Sequence, residues 1–183
     1  QQGLTDLCAI ADWAGANGFS DLEVGPTVPL EEKAFRAVMA GGTVSVSALT
    51  YCRNYLSTDE AEAAQHREEL LRRIRFAAAL GIEKVVTSTG IDKSVEEGVY
   101  DRADAIRKLP MRSMDRFEQV FTPIVCETER LGVKLAFENC PLMGNIAIAP
   151  PLWREMFRRI DSPSVGLTYD PSHLVWQFID PYR

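Results

Sequence analysis

VKLAFE at residues 133–138 and SVGLTYD at residues 164–170 are the two stretches that decide the fold. Side chains alternate across a strand, so Lys134, Ala136 and Glu138 share one face of the first run, and Val133, Leu135 and Phe137 share the other. In the second run Gly166, Thr168 and Asp170 lie opposite Val165, Leu167 and Tyr169. Both runs send bulky apolar groups one way and small residues, then a carboxylate, the other way. The bulky face suits a covering layer of helices. The small face suits the interior of a parallel barrel, where functional groups stand at strand C-terminal ends. Glu138 and Asp170 hold those ends about one strand-helix unit apart, so their strands are expected to be neighbours.

The same alternation extends through the chain. Residues 5–17 read as a helix ended by Gly18, 21–25 as a strand, and 31–39 as a helix stopped at Gly41-Gly42. Residues 43–49 read as a strand, 58–80 as a long helix closed by Gly81, and 83–89 as the next strand. Residues 90–112 are irregular and charged, and read as a long loop with at most a short helical turn. Ser113 is expected to cap a helix running to Leu131 that Pro123 interrupts. After the strand at 133–138 come a helix at 151–160, the strand at 164–170, and a tail at 174–183 that begins a further helix. This order implies an α/β fold with a parallel sheet. No Gly-x-Gly-x-x-Gly follows a strand, so a dinucleotide-binding sheet has no support. The reading is one domain over residues 1–183, a (β/α)8 barrel. It is incomplete: the chain opens in a helix without the first strand, lacks the last two strand-helix units, and falls short of the about 250 residues a full barrel needs.

Composition sets limits on partners. The 183 residues are 46% hydrophobic and 25% charged, as in ordinary globular domains. A net charge of -6 argues against a nucleic-acid partner. No apolar run is long enough to span a membrane, and no signal-peptide pattern opens the chain, so a cytoplasmic protein is expected. Cys8, Cys52, Cys126 and Cys140 form no Cys-x-x-Cys pair, and are expected to be reduced and mostly buried.

Two carboxylates converging in a cleft repel unless a positive charge lies between them, and carboxylate oxygens suit a divalent cation such as Mn²⁺ or Mg²⁺. Glu138 and Asp170 are therefore candidate metal ligands, and His173, three residues past Asp170, adds an imidazole to the cluster. Glu23 ends its strand in the inward phase and is a candidate for substrate contact, with a rim salt bridge as the equal alternative. Asn139 falls on the opposite phase from Glu138.

Leu135-Ala136-Phe137-Glu138-Asn139 and the stretch from Gly166 to Leu174, with Asp170-Pro171-Ser172-His173 at its centre, resemble the two metal-site motifs of the sugar phosphate isomerase/epimerase family of xylose isomerase-like TIM barrels. The segment from Gly18 to Glu23 is similar to that family's second strand. The resemblance implies one divalent ion (Mn, Mg, Co or Zn) held partly by Glu138 and Asp170. It implies a small carbohydrate substrate and proton transfer beside a carbonyl through a cis-enediolate. Glu138 would then serve as acid/base, and His173 would orient a substrate hydroxyl. A homo-oligomer is compatible with this family.

Other residues carry weaker readings. Arg53, after the third strand, is a candidate phosphate anchor. Residues 90–112 leave a strand exit where lids lie. His66 reads as a surface or packing residue, Arg72, Arg73 and Arg75 as a solvated face, and Trp13, Trp153 and Trp176 as packing groups, with Trp176 near enough to wall the pocket. Three other functions share the scaffold. A dehydratase or lyase differs only in the fate of the enediolate, and a non-catalytic sugar-binding barrel would lack the remaining ligands. An abasic-site endonuclease needs more histidines than His66 and His173, and a less acidic surface.

Overall fold

The computed structural model describes residues 5–141 and 144–182. Its elements run α1 (Leu7–Ala16), β1 (Asp21–Val24), α2 (Glu32–Gly41), β2 (Ser45–Thr50), α3 (Glu60–Leu80), β3 (Lys84–Thr87), a 3-10 turn at Lys93–Val95, α4 (Arg102–Arg112), α5 (Met114–Leu131), β4 (Lys134–Glu138), α6 (Pro150–Arg159), β5 (Val165–Thr168) and α7 (Pro171–Val175). Asp6 and Asp59 start α1 and α3 by accepting backbone N–H groups of the first turn. Gly81 and Gly132 end α3 and α5 in the left-handed conformation.

The five strands lie in the order β1-β2-β3-β4-β5, each parallel to the next. This is the arc expected of part of a (β/α)8 barrel. Strand register carries the sequence alternation into space, with Val86 beside Ala136 and Ala136 beside Gly166. Ala48, Val86 and Ala136 form a small apolar cluster of their own. The larger core belongs to the other face, where Leu49, Val85, Leu135 and Phe137 meet the helices. Phe137 lies 5.1 Å from Phe121 and 5.7 Å from Phe117 between ring centres. All three rings are fully buried. Truncating such a ring costs about 3–5 kcal/mol, so this cluster fixes β4 firmly against α5.

Several expectations need correcting. Residues 90–112 are not mainly loop: α4 occupies Arg102–Arg112. Ala105, Ile106 and Leu109 supply its inner side, and the buried Pro110 is tolerated inside it. Ser113 makes no cap bond to α5; its hydroxyl donates to the Leu109 carbonyl and accepts from Asp92 N–H, joining the helices to the β3 exit. The last helix starts at Pro171, earlier than the tail reading placed it. Arg73 is not solvated but 4% exposed. Trp13 and Trp176 are exposed rather than packed, whereas Trp153 donates its indole N–H to the Ala147 carbonyl. All four cysteines are free, but Cys8 and Cys126 are exposed and Cys52 and Cys140 half-buried. No helix among the described residues is long and apolar enough to cross a membrane.

The exits of β2 and β3 are interlocked. Asn54 Oδ1 accepts the backbone N–H groups of Leu56 and Ile91, each at 3.0 Å, and Asn54 Nδ2 donates to the Ile91 carbonyl. Gly90 makes room for this with φ +82, since a Cβ there would stand 2.7 Å from Asn54 Cα.

Candidate functional site

Glu138 is the last residue of β4 and pairs in register with Thr168, the last of β5. Two residues further, Asp170 leaves the same edge and becomes the N-cap of α7, where its Oδ1 accepts Ser172 N–H at 2.8 Å. The first turn of α7 then lifts His173 over the strand ends. Its Nε2 lies 3.7 Å from Glu138 Oε1 and 3.6 Å from Asp170 Oδ2. Two carboxylates from neighbouring strands thus face one imidazole nitrogen. Trp176 sets its ring edge-on to His173 at 5.1 Å, beside the cluster.

Asn139 was the residue whose strand phase argued against a role. It is fully buried, donating from Nδ2 to the Asp170 carbonyl and accepting Asp170 N–H on Oδ1, both at 2.9 Å. The side chain imitates a further rung of the ladder after β5 has ended. Period two stops applying where the strand stops, so only the Glu-Asn adjacency could have signalled this part. Asn145 acts similarly across β3 and β4: Nδ2 donates to the Glu138 carbonyl, and Oδ1 accepts Thr89 N–H and Oγ1–H. Gln177 ties α7 back by donating to the carbonyls of His173 and Ile148.

The two acids are driven apart electrostatically. Burial pushes the Glu138 carboxyl above its usual range, helped by the Asp170 and Glu23 charges and opposed by the Asn139 backbone hydrogen bond and by His173. Hydrogen bonds from Ser172 hold Asp170 below its usual range, with the charge of His173 adding to them. Glu138 Oε1 and His173 Nδ1 are buried without any hydrogen-bond partner. Orphaned polar atoms of this kind are few in folded proteins, and a water, an ion or a ligand completes their bonding. Glu23 lies exposed near the end of β1, accepts the Thr50 hydroxyl, and contributes charge at both Glu138 and Cys52. Burial, then the Glu138 and Glu23 charges, push the Cys52 thiol up to about 11.

Glu138, Asp170, His173 and Glu23 therefore stand along one rim, the first three in close contact. An unpartnered carboxylate oxygen beside a second carboxylate is a donor set that fits an oxygen-seeking divalent ion. The set is partial, because no three His, Cys, Asp or Glu side chains among the described residues close into a metal cage. His66 stays apart, its Nδ1 engaged by the Tyr51 hydroxyl at 3.1 Å.

Residues 9–182 match the family described as xylose isomerase-like TIM barrel. No curated protein matches the sequence. Among solved structures, a D-tagatose 3-epimerase-like protein superposes with a TM-score of 0.71 at 23% identity, covering 93% of this chain and 62% of that one. D-psicose 3-epimerase, solved in the presence of D-fructose, gives 0.69 at 14% identity, covering 96% and 61%. A xylose isomerase-like TIM barrel protein from Mycobacterium smegmatis in complex with magnesium gives 0.66 at 17% identity, covering 94% and 60%. The chain thus spans about six-tenths of the length of these structures, and at these identities they speak for the fold alone.

Proposed function

The chain belongs to the xylose isomerase-like TIM barrel family, and from that premise we propose that it works as a divalent-metal-dependent isomerase or epimerase of a small sugar, sugar phosphate or related keto-polyol. One observation carries the reading. Two in-phase carboxylates at the ends of adjacent strands converge on His173 Nε2, with opposite displacements of their acidities. Acids whose surroundings drive them apart take separate roles, here one held ionised and one suited to carrying a proton.

Glu138 and Asp170 would hold the ion, which when bound would supply Lewis-acid stabilisation of charge developing on the substrate oxygens. Asp170 stays ionised at neutral pH and keeps its place through Ser172 and Asn139. Glu138, shifted upward, is better matched to moving a proton near neutrality, and takes it from the carbon beside the carbonyl. Return of a proton to the adjacent carbon gives an isomer; return to the opposite face of the same carbon gives an epimer. His173, fixed by Gln177 and flanked by Trp176, orients a substrate hydroxyl. Glu23 contacts the substrate from the β1 side. The epimerases among the structural neighbours and the magnesium complex support this chemistry on the same scaffold.

The test is a panel of ketoses and their phosphates incubated with Mn²⁺ in deuterated water. Deuterium at the carbon beside the carbonyl, together with an isomeric product, is the expected result. Exchange that continues unchanged after chelation of metal would overturn the mechanism. A product lighter by one water would assign the lyase reading instead.

A further inference from the structure

A cavity of about 450 Å³ opens beside the exits of β1 and β2 against the flank of α3, its charged lining three arginines (Arg53, Arg72 and Arg73) against two glutamates (Glu68 and Glu69), with Tyr51 between them. Its positive charge is under-compensated. The guanidinium carbons of Arg53 and Arg73 stand 4.7 and 5.0 Å from the centre of the one Tyr51 ring. Arg73 is almost fully buried; Nε donates to Glu69 Oε1 at 2.8 Å, while Nη1 finds no hydrogen-bond partner. Glu69 is itself shared, accepting two further bonds from Arg72 at 2.7 and 2.8 Å. Arg53 donates to the Cys52 carbonyl, and no carboxylate among the described residues lies within ion-pair reach of it.

Burying guanidinium donors without acceptors is costly, and two cations against one ring repel each other. The planar fork of arginine matches the paired oxygens of a phosphate or carboxylate. Arg53 directly follows Cys52, whose thiol feels the charges of Glu138 and Glu23. Ser88 Oγ, from the β3 exit, donates to the Arg53 carbonyl at 2.8 Å and fixes that turn.

We propose that the Arg53–Tyr51–Arg73 corner is an oxyanion subsite that takes the charged end of the substrate, phosphate or carboxylate. The proposal rests on the reading above only for where the rest of the substrate lies.

Calorimetric titration of the metal-free protein with inorganic phosphate, and separately with acetate, tests it. Phosphate is expected to bind with a dissociation constant on the order of millimolar, weakened about tenfold or more in Arg53→Gln and in Arg73→Gln. Phosphate preferred over acetate assigns a phosphorylated substrate; equal or better acetate binding assigns a sugar acid. Phosphate binding that is absent, or unchanged in Arg53→Gln, overturns the proposal. Circular dichroism checks that the variants fold, and should Arg73→Gln fail to do so, Arg53→Gln decides alone. Glu138→Gln is expected to bind phosphate as the parent does. If phosphate binds as described while the parent protein isomerises no sugar, the subsite stands and the proposed reaction falls.

Discussion

Glu155 on α6 accepts hydrogen bonds from Arg158 at 2.7 and 2.8 Å and from Arg159 at 2.7 Å, and Glu127 on α5 is held in the same way by Arg130 and Arg75. Both lie half-buried in the helix layer, with pKa values drawn down to about 2 by those arginines. Glu138, the same residue type at the end of β4, has a buried oxygen with no donor and a pKa moved the other way. Outside, the fold surrounds glutamate with cations it scarcely needs. At the rim it withholds them where desolvation makes them most valuable. On the proposed reading, that contrast separates side chains kept for solubility from one kept for chemistry, because a buried carboxylate oxygen without a donor is tolerated only where something else completes it.

The largest effect should come from Glu138→Gln, which removes the proposed proton carrier but keeps the shape. Isomerisation is expected to fall about 10²–10⁴-fold. The thermal midpoint should hold steady or rise, because an unmatched acid has been neutralised. A marked fall in the midpoint would break the contrast by making Glu138 a structural residue. Next comes Asn139→Ala, which cuts both bonds to the Asp170 backbone. Apparent Mn²⁺ affinity should drop about 10–100-fold with the circular dichroism spectrum unchanged, as expected when a supporting residue of a metal site is lost. Asn139→Asp keeps the acceptor but loses the donor, and should fall between.

A third test uses Cys52 as a reporter of rim charge. With its thiol pushed up to about 11, Cys52 stays protonated at pH 8 and should resist iodoacetamide while the exposed Cys8 and Cys126 react. Its labelling should accelerate in Glu138→Gln, because one of the charges opposing the thiolate is gone; peptide mass mapping reads the order. The smallest effect belongs to Glu155→Gln. Its lowered pKa means the stabilisation is complete above the ordinary glutamate value of about 4.5 and is lost as pH falls through about 2. The variant should differ slightly from the parent at pH 7 and merge with it near pH 2, and added salt should shrink the gap.

Much of this molecule was legible from the chain alone. Period-two alternation placed Ala136 and Glu138 opposite Phe137, and the structure keeps them so because β4 is covered by aromatic rings on one side only. The pairing of Glu138 with the Asp170-to-His173 stretch was legible too, since register between adjacent parallel strands carries phase from one to the next. What failed was reading polarity as exposure. Charge density and Pro110 concealed α4, whose inner side is only Ala105, Ile106 and Leu109. Arg73 read as solvated because the arginines around it are, yet the Tyr51 ring and Glu69 draw it inward. Asn139 escapes a phase argument because its hydrogen bonds to Asp170 begin where strand periodicity ends, in a turn whose geometry no spacing rule reaches.

The contact between Gly90 and Asn54 carries a consequence for variation. Even a single methyl at position 90 would press on the Asn54 amide and on the main chain behind it, so that no swing of that side chain alone relieves the contact. Neither residue can therefore drift independently, and a library randomised at both positions should return the parental pair far more often than chance. The two loops behave as one piece of joinery, so redesigning either for a new ligand means recutting both.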